Sequence, residues 1–130
     1  MAILLNQIGQ VVLGVDDIDV AERFYEQALG LRKLYRFGDL VFFDCAGVRL
    51  LVEKSNVRPL PTSSVIYFRA ADIALTLRTL QSRGVVFVDI PHLVAPMEDH
   101  DLWMVFFKDP AGNLLALMQE APKGYQPAAP

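Results

Sequence analysis

The second half of this chain repeats the order of the first, so the fold must be built from two copies of one small unit. Val11, Leu13 and Val15 alternate with Gln10, Val12 and Gly14, the period of a strand. Asp19 stands three residues before Glu22, a capping-box spacing that predicts a helix start. Ala21, Phe24, Tyr25, Ala28 and Leu29 then share one helical face, and Gly30 supplies a left-handed stop. Strands are predicted over Leu34–Phe37, Leu40–Phe43 and Val48–Lys54, with turns at Gly38-Asp39 and Ala46-Gly47. Ser55–Ser64, rich in Pro and Ser, reads as a linker. The order then restarts. A strand is predicted over Val65–Ala70, followed by a helix capped by Asp72 with Ile73, Leu77 and Leu80 on its apolar side. Gly84 ends that helix, and strands follow at Val85–Ile90, Leu102–Phe107 and Leu114–Gln119.

Spacing supports the repeat. Gln10 lies seven residues before Asp17, and Val65 lies seven before Asp72. Val41-Phe42-Phe43 before Ala46-Gly47 is matched by Val105-Phe106-Phe107 before Ala111-Gly112. The offset is 55 residues from Gln10 to Val65 and 65 from Gly47 to Gly112. About ten extra residues therefore fall near Pro91–Asp101, which holds both histidines, His92 and His100. That stretch is predicted as a loop, exposed to solvent or acting as a lid that brings a histidine to a ligand.

At 130 residues the chain suits one domain over 1–125, made of modules 8–54 and 65–120 joined by linker 55–64, with a flexible tail over 121–130. A hydrophobic content of 53% excludes disorder, and a single Cys45 excludes a disulfide scaffold. Cys45 has no neighbouring His or Lys in sequence to activate it and reads as a free thiol. A net charge of −3 offers no basic stripe for nucleic acid. No apolar run reaches the roughly 18 residues of a membrane span. The start Met1–Asn6 lacks the basic region of a secretion signal, so a cytoplasmic protein is expected.

Three stretches carry a family resemblance: Ile8-Gly9-Gln10-Val11 opening the first strand, Phe24-Tyr25 with Leu29-Gly30 closing the first helix, and Asp109-Pro110-Ala111-Gly112-Asn113 before the last strand. In this order the chain resembles, from Ile8 to Glu120, the vicinal oxygen chelate superfamily, which includes glyoxalase I, bleomycin-resistance proteins, extradiol dioxygenases and methylmalonyl-CoA epimerase. The resemblance implies an α+β fold of two tandem βαβββ modules forming an open, curved mixed sheet around a cavity. Many members hold a divalent metal there with four residues. Carried over by offset, those positions are Gln10, Leu51, Val65 and Ala116. One amide and three hydrocarbons cannot satisfy such an ion, so no metal and no cofactor are expected.

Strand alternation extends this face. Gln10 brings Val12 and Gly14, Leu51 brings Arg49 and Glu53, Val65 brings Tyr67 and Arg69, and Ala116 brings Leu114 and Met118. The opposite faces are uniformly apolar. The candidate ligand-binding residues are therefore Gln10, Arg49, Leu51, Glu53, Val65, Tyr67, Arg69 and Ala116, with His100 from the extra loop and Trp103 at the mouth or in the core. Arg49 and Arg69 suggest an anionic ligand, or else they are solvated strand ends. The leading expectation is a small-molecule-binding homodimer without the usual metal. The alternative is a divalent-metal lyase, isomerase or dioxygenase with a rearranged set drawn from Gln10, Glu53 and a loop histidine. An assembly subunit without ligand is a third.

Overall fold

The structure is a computed structural model describing residues 4–55 and 64–127; most of the predicted linker and the last three residues of the tail lie outside the described residues. The chain divides into two units, Met1–Pro61 and Thr62–Pro130.

The first unit runs β1 (Gln10–Val15), α1 (Ile18–Arg23), β2 (Arg32–Phe37), β3 (Leu40–Cys45) and β4 (Val48–Lys54). Its sheet order is β1-β4-β3-β2, with β1 parallel to β4 and the other neighbours antiparallel. Helix α1 begins two residues earlier than the capping box suggested. Asp17 is the cap, and its carboxylate accepts from the backbone N–H groups of Asp19 and Val20, both at 3.1 Å. Asp19 and Glu22 serve β2 instead. Arg36 Nη1 reaches Asp19 at 2.6 Å and Glu22 at 2.8 Å, and Lys33 Nζ reaches Glu22 at 3.1 Å and Glu26 at 3.5 Å. The Arg36 hydrogen bond and charge hold the Asp19 carboxyl below its ordinary range. Glu22 is also held low: burial pushes it up, and its hydrogen bonds and charge pairing with Lys33 and Arg36 outweigh that.

Past Arg23 the helix widens into one π turn, Phe24–Ala28, closed by Leu29 N–H donating to Phe24 O at 3.0 Å. Tyr25 is fully buried there, its ring edge-on to Phe24 at 5.2 Å and 5.9 Å from Phe43. Leu13, Val15, Val41, Phe43, Leu50 and Val52 complete this core, as their alternation requires. Gly30 stops the helix with φ of 76°, in the left-handed region predicted for it.

The second unit has the same topology: β5 (Ile66–Arg69), α2 (Ile73–Ser82), β6 (His92–Pro96), β7 (Asp101–Lys108) and β8 (Leu114–Ala121), in sheet order β5-β8-β7-β6 with β5 parallel to β8. Two open four-stranded mixed sheets, each with one helix, are the tandem βαβββ modules of the expected α+β class. Helix α2 has two caps. Asp72 accepts from Leu75 N–H at 3.1 Å, and the buried Gln119 of β8 accepts from Ile73 N–H at 2.8 Å. Ile73, Ala74, Leu77 and Leu80 pack on Val105, Phe107, Leu115 and Leu117 of the same side.

One predicted element is corrected. Val85–Ile90 is not a strand of the sheet; it touches β7 through a single bridge, Phe87 to Phe107, and one bond from Val88 N–H to Phe106 O at 2.9 Å. The strand lies seven residues later, at His92–Pro96, inside the stretch predicted as a loop. The reason is a side chain that takes a strand's place and a proline that follows it. The Asp89 carboxylate takes the Phe106 N–H at 2.8 Å, where a strand would offer a backbone carbonyl, and Pro91 has no N–H to donate. The predicted tail is tied back at its start: Asp101 pairs with Lys123 at 3.4 Å and accepts from Gly124 N–H at 3.1 Å, while Tyr125 meets Trp103 edge-on at 6.5 Å.

Candidate functional site

Each sheet has one face closed by its own helix and one face that the helix leaves open. In the first unit the strand register sets three rows across the open face. Gln10, Arg49, Asp44 and Arg32 form one row, Val12, Leu51, Phe42 and Tyr35 the next, and Gly14, Glu53, Leu40 and Phe37 the third. The predicted residues Gln10, Arg49, Leu51 and Glu53 thus share this face, with Gln10 directly opposite Arg49. Tyr35 and Phe42 have ring centroids 4.7 Å apart with planes tilted by 30°, Phe37 lies 6.3 Å edge-on to Tyr35, and the Arg49 guanidinium sits 5.8 Å from the Phe42 centroid. Asp44 is committed to its turn, where its Oδ1 accepts from Gly47 N–H at 3.1 Å.

In the second unit Tyr67, Ala116 and Phe106 form one row and Arg69, Met118, Met104 and His92 the next. Tyr67 and Phe106 meet edge-on at 6.1 Å, and His92 stacks on Phe106 at 6.1 Å with rings 22° apart. Ala116, flanked by Tyr67 and Phe106, is fully buried. Arg69 lies 3.7 Å from Glu120. Val65 stands half-buried just before β5.

Two candidates stand elsewhere. His100 belongs to the hairpin turn between β6 and β7, where Met97 N–H donates to its carbonyl at 2.8 Å. Its ring lies 2.7 Å from Asp99, and that hydrogen bond holds the Asp99 carboxyl below its ordinary range. Trp103 has the parity of Val105 and Phe107, so it is buried on the helix side, and its Nε1 has no hydrogen-bond partner among the described residues. Sequence reasoning missed Tyr35, Phe42 and Phe106, although alternation in β3 and β7 carries the signal for the two phenylalanines; His92, expected in a loop or lid, instead lies in β6. Cys45 is half-buried, and burial followed by the Asp44 charge pushes its thiol up, away from nucleophile behaviour.

The metal implied by the resemblance does not fit these residues. Leu51, Val65 and Ala116 offer no donor atom, and the last of the four positions lies fully buried beside an aromatic pair. Among the described residues no three of His, Cys, Asp and Glu gather in a group able to hold an ion. Among the described residues no helix is long and apolar enough to cross a membrane.

The paired βαβββ topology defines a fold class, and comparison with known proteins gives the family. A sequence model of the Glyoxalase/Bleomycin resistance protein/Dioxygenase superfamily matches residues 7–117. The chain belongs to that superfamily. A search of curated protein sequences finds no match. Solved structures share the fold. A lactoylglutathione lyase from Agrobacterium tumefaciens aligns with TM-score 0.73 at 23% identity, covering 93% of this chain and 98% of that one. A virulence protein from Salmonella typhimurium aligns with TM-score 0.75 at 21% identity, covering 92% and 100%. A glyoxalase/bleomycin resistance protein/dioxygenase from Alicyclobacillus acidocaldarius aligns with TM-score 0.69 at 23% identity, covering 88% and 92%.

Proposed function

We propose that this protein binds a small organic, anionic ligand against its open sheet faces, without the divalent ion usual in its superfamily, and that it works as a homodimer in the cytoplasm. The observation that carries this reading is the division of each sheet. One face is filled by aliphatic and aromatic side chains under its helix. The other leaves rings, a few polar groups and guanidiniums uncovered, the make-up of small-molecule sites. The dimer is supported by large apolar side chains left in solvent, among them Phe37 at 73%, Val86 at 75% and Ile90 at 67% exposure. A single thiol kept half-buried suits a reducing compartment.

One structural relative is a lactoylglutathione lyase, but lyase chemistry that depends on a bound metal is not carried over, because three of the four positions lack a donor. The test is native mass spectrometry of protein purified from its own cells, paired with elemental analysis. A co-purifying organic mass, together with less than about one divalent ion in ten chains, supports the reading. Stoichiometric Ni, Zn, Fe or Mn sinks it and restores the metal-dependent alternative built on Gln10, Glu53 and a histidine.

A further inference from the structure

The two arginines of the open faces differ in what already occupies them. Arg69 has an acid within 3.7 Å, Glu120, so an incoming anion must compete for its charge. Arg49 is in no ion pair among the described residues. It rests over the ring of Phe42 instead, a contact that orients a guanidinium while leaving its charge and its N–H fork available. Its row keeps a net positive charge, with two arginines to one acid. Arg49 and Arg32 stand on either side of Asp44, whose Oδ1 is engaged by the Gly47 N–H, and Gln10 faces Arg49 from the other side with an amide. The neighbouring row is apolar and aromatic: Val12, Leu51, Phe42 and Tyr35, with the Tyr35 and Phe42 rings tilted by 30° at 4.7 Å.

We propose that the open face of the first unit is a subsite for a monoanionic arene. Its carboxylate, phenolate or enolate oxygen pairs with Arg49, and the ring bearing that group packs against the Phe42–Tyr35 pair. This deepens the reading given under Proposed function and rests on it. Cation and ring are 5.8 Å apart, so an anionic group and the ring attached to it engage both at once. A neutral arene engages only the ring, and an aliphatic anion only the arginine. A second negative charge reaching the third row would meet Glu53, which selects against dianions.

The experiment is calorimetric titration of the protein as purified with 2-naphthoate, 2-naphthamide and cyclohexanecarboxylate. Wild type is expected to bind 2-naphthoate at least tenfold more tightly than either comparison compound. Arg49→Gln should weaken 2-naphthoate by tenfold or more and leave 2-naphthamide within twofold, with Arg49→Lys recovering part of the loss. Phe42→Leu should weaken both arenes several-fold. Arg69→Gln should cost clearly less than Arg49→Gln, because Glu120 already shares the Arg69 charge. Thermal melts of each variant report folding, and the three-compound comparison on wild type stands even if a variant fails to fold. Absence of 2-naphthoate binding, equal binding of cyclohexanecarboxylate, or an Arg69→Gln loss matching that of Arg49→Gln overturns the inference. If native mass spectrometry then shows an aliphatic anion, the broader reading survives and this one alone falls.

Discussion

Asp109 shows how much one buried carboxylate can organise. Its Oδ1 accepts from Ala111 N–H at 3.0 Å and Asn113 N–H at 2.8 Å, and its Oδ2 accepts from the Asn113 amide at 2.9 Å. Gly112 takes φ of 92° between them, a left-handed position that needs no Cβ. Removing the carboxylate leaves buried donors unpaired, so Asp109→Ala should cost about 2–3 kcal/mol of stability by urea denaturation. A loss within the error of wild type would show that water replaces the carboxylate freely. The role of Asp19 was read differently in the sequence. Its spacing to Glu22 fits a cap, but the cap position two residues earlier was already held by Asp17, and β2 supplied cations for the acids left over. A capping spacing is local; which residue takes it depends on where the preceding strand ends.

Elements reveal the same division. The carboxylates of Asp19 and Glu22 are depressed in the folded state, so the stability that they add is present in full above the ordinary carboxylate range. It is lost as pH falls through their lowered values. Between pH 5 and pH 2 the urea midpoint of wild type should therefore fall further than that of Arg36→Gln, and molar salt at pH 7 should shrink the gap between them. Equal pH slopes would show that the α1–β2 ion pairs contribute nothing measurable. Helix α2 offers a second case. Gln119→Leu removes the acceptor for Ile73 N–H inside the core and should cost about 1–2 kcal/mol, whereas Glu120→Gln, one residue on and exposed, should cost little. Nothing in the local sequence marked Gln119 as a helix cap, because the two partners are 46 residues apart.

At the scale of the whole molecule, the uncovered apolar side chains argue for self-association. Val86, Val88 and Ile90 alternate outward along one short stretch, each more than half exposed. Light scattering at micromolar concentration should report a dimer mass. Val86→Lys combined with Ile90→Lys should raise the monomer fraction if this stretch is in the contact. A monomer for wild type would remove the dimer from the proposed function. The repeat itself was legible from period and spacing. Seven residues separate Gln10 from Asp17 and Val65 from Asp72, and the two units do share one strand order.

What the sequence determined by itself was the set of elements whose causes lie within a few residues. These are the alternation of β1, β3, β4, β7 and β8, the left-handed stops at Gly30 and Gly84, and the face parity that put Gln10, Arg49, Leu51 and Glu53 together. Tertiary structure decided what depends on partners far along the chain. Asp89 took the N–H of Phe106 and so moved β6 to His92–Pro96, which carried His92 onto the ring of Phe106 and left His100 in a turn. Arg69 found Glu120 while Arg49 found Phe42. Periodicity reports which side of a strand a residue faces; it carries no information about what the neighbouring strand will set beside it, and that neighbour governs whether a buried or charged group is free to bind.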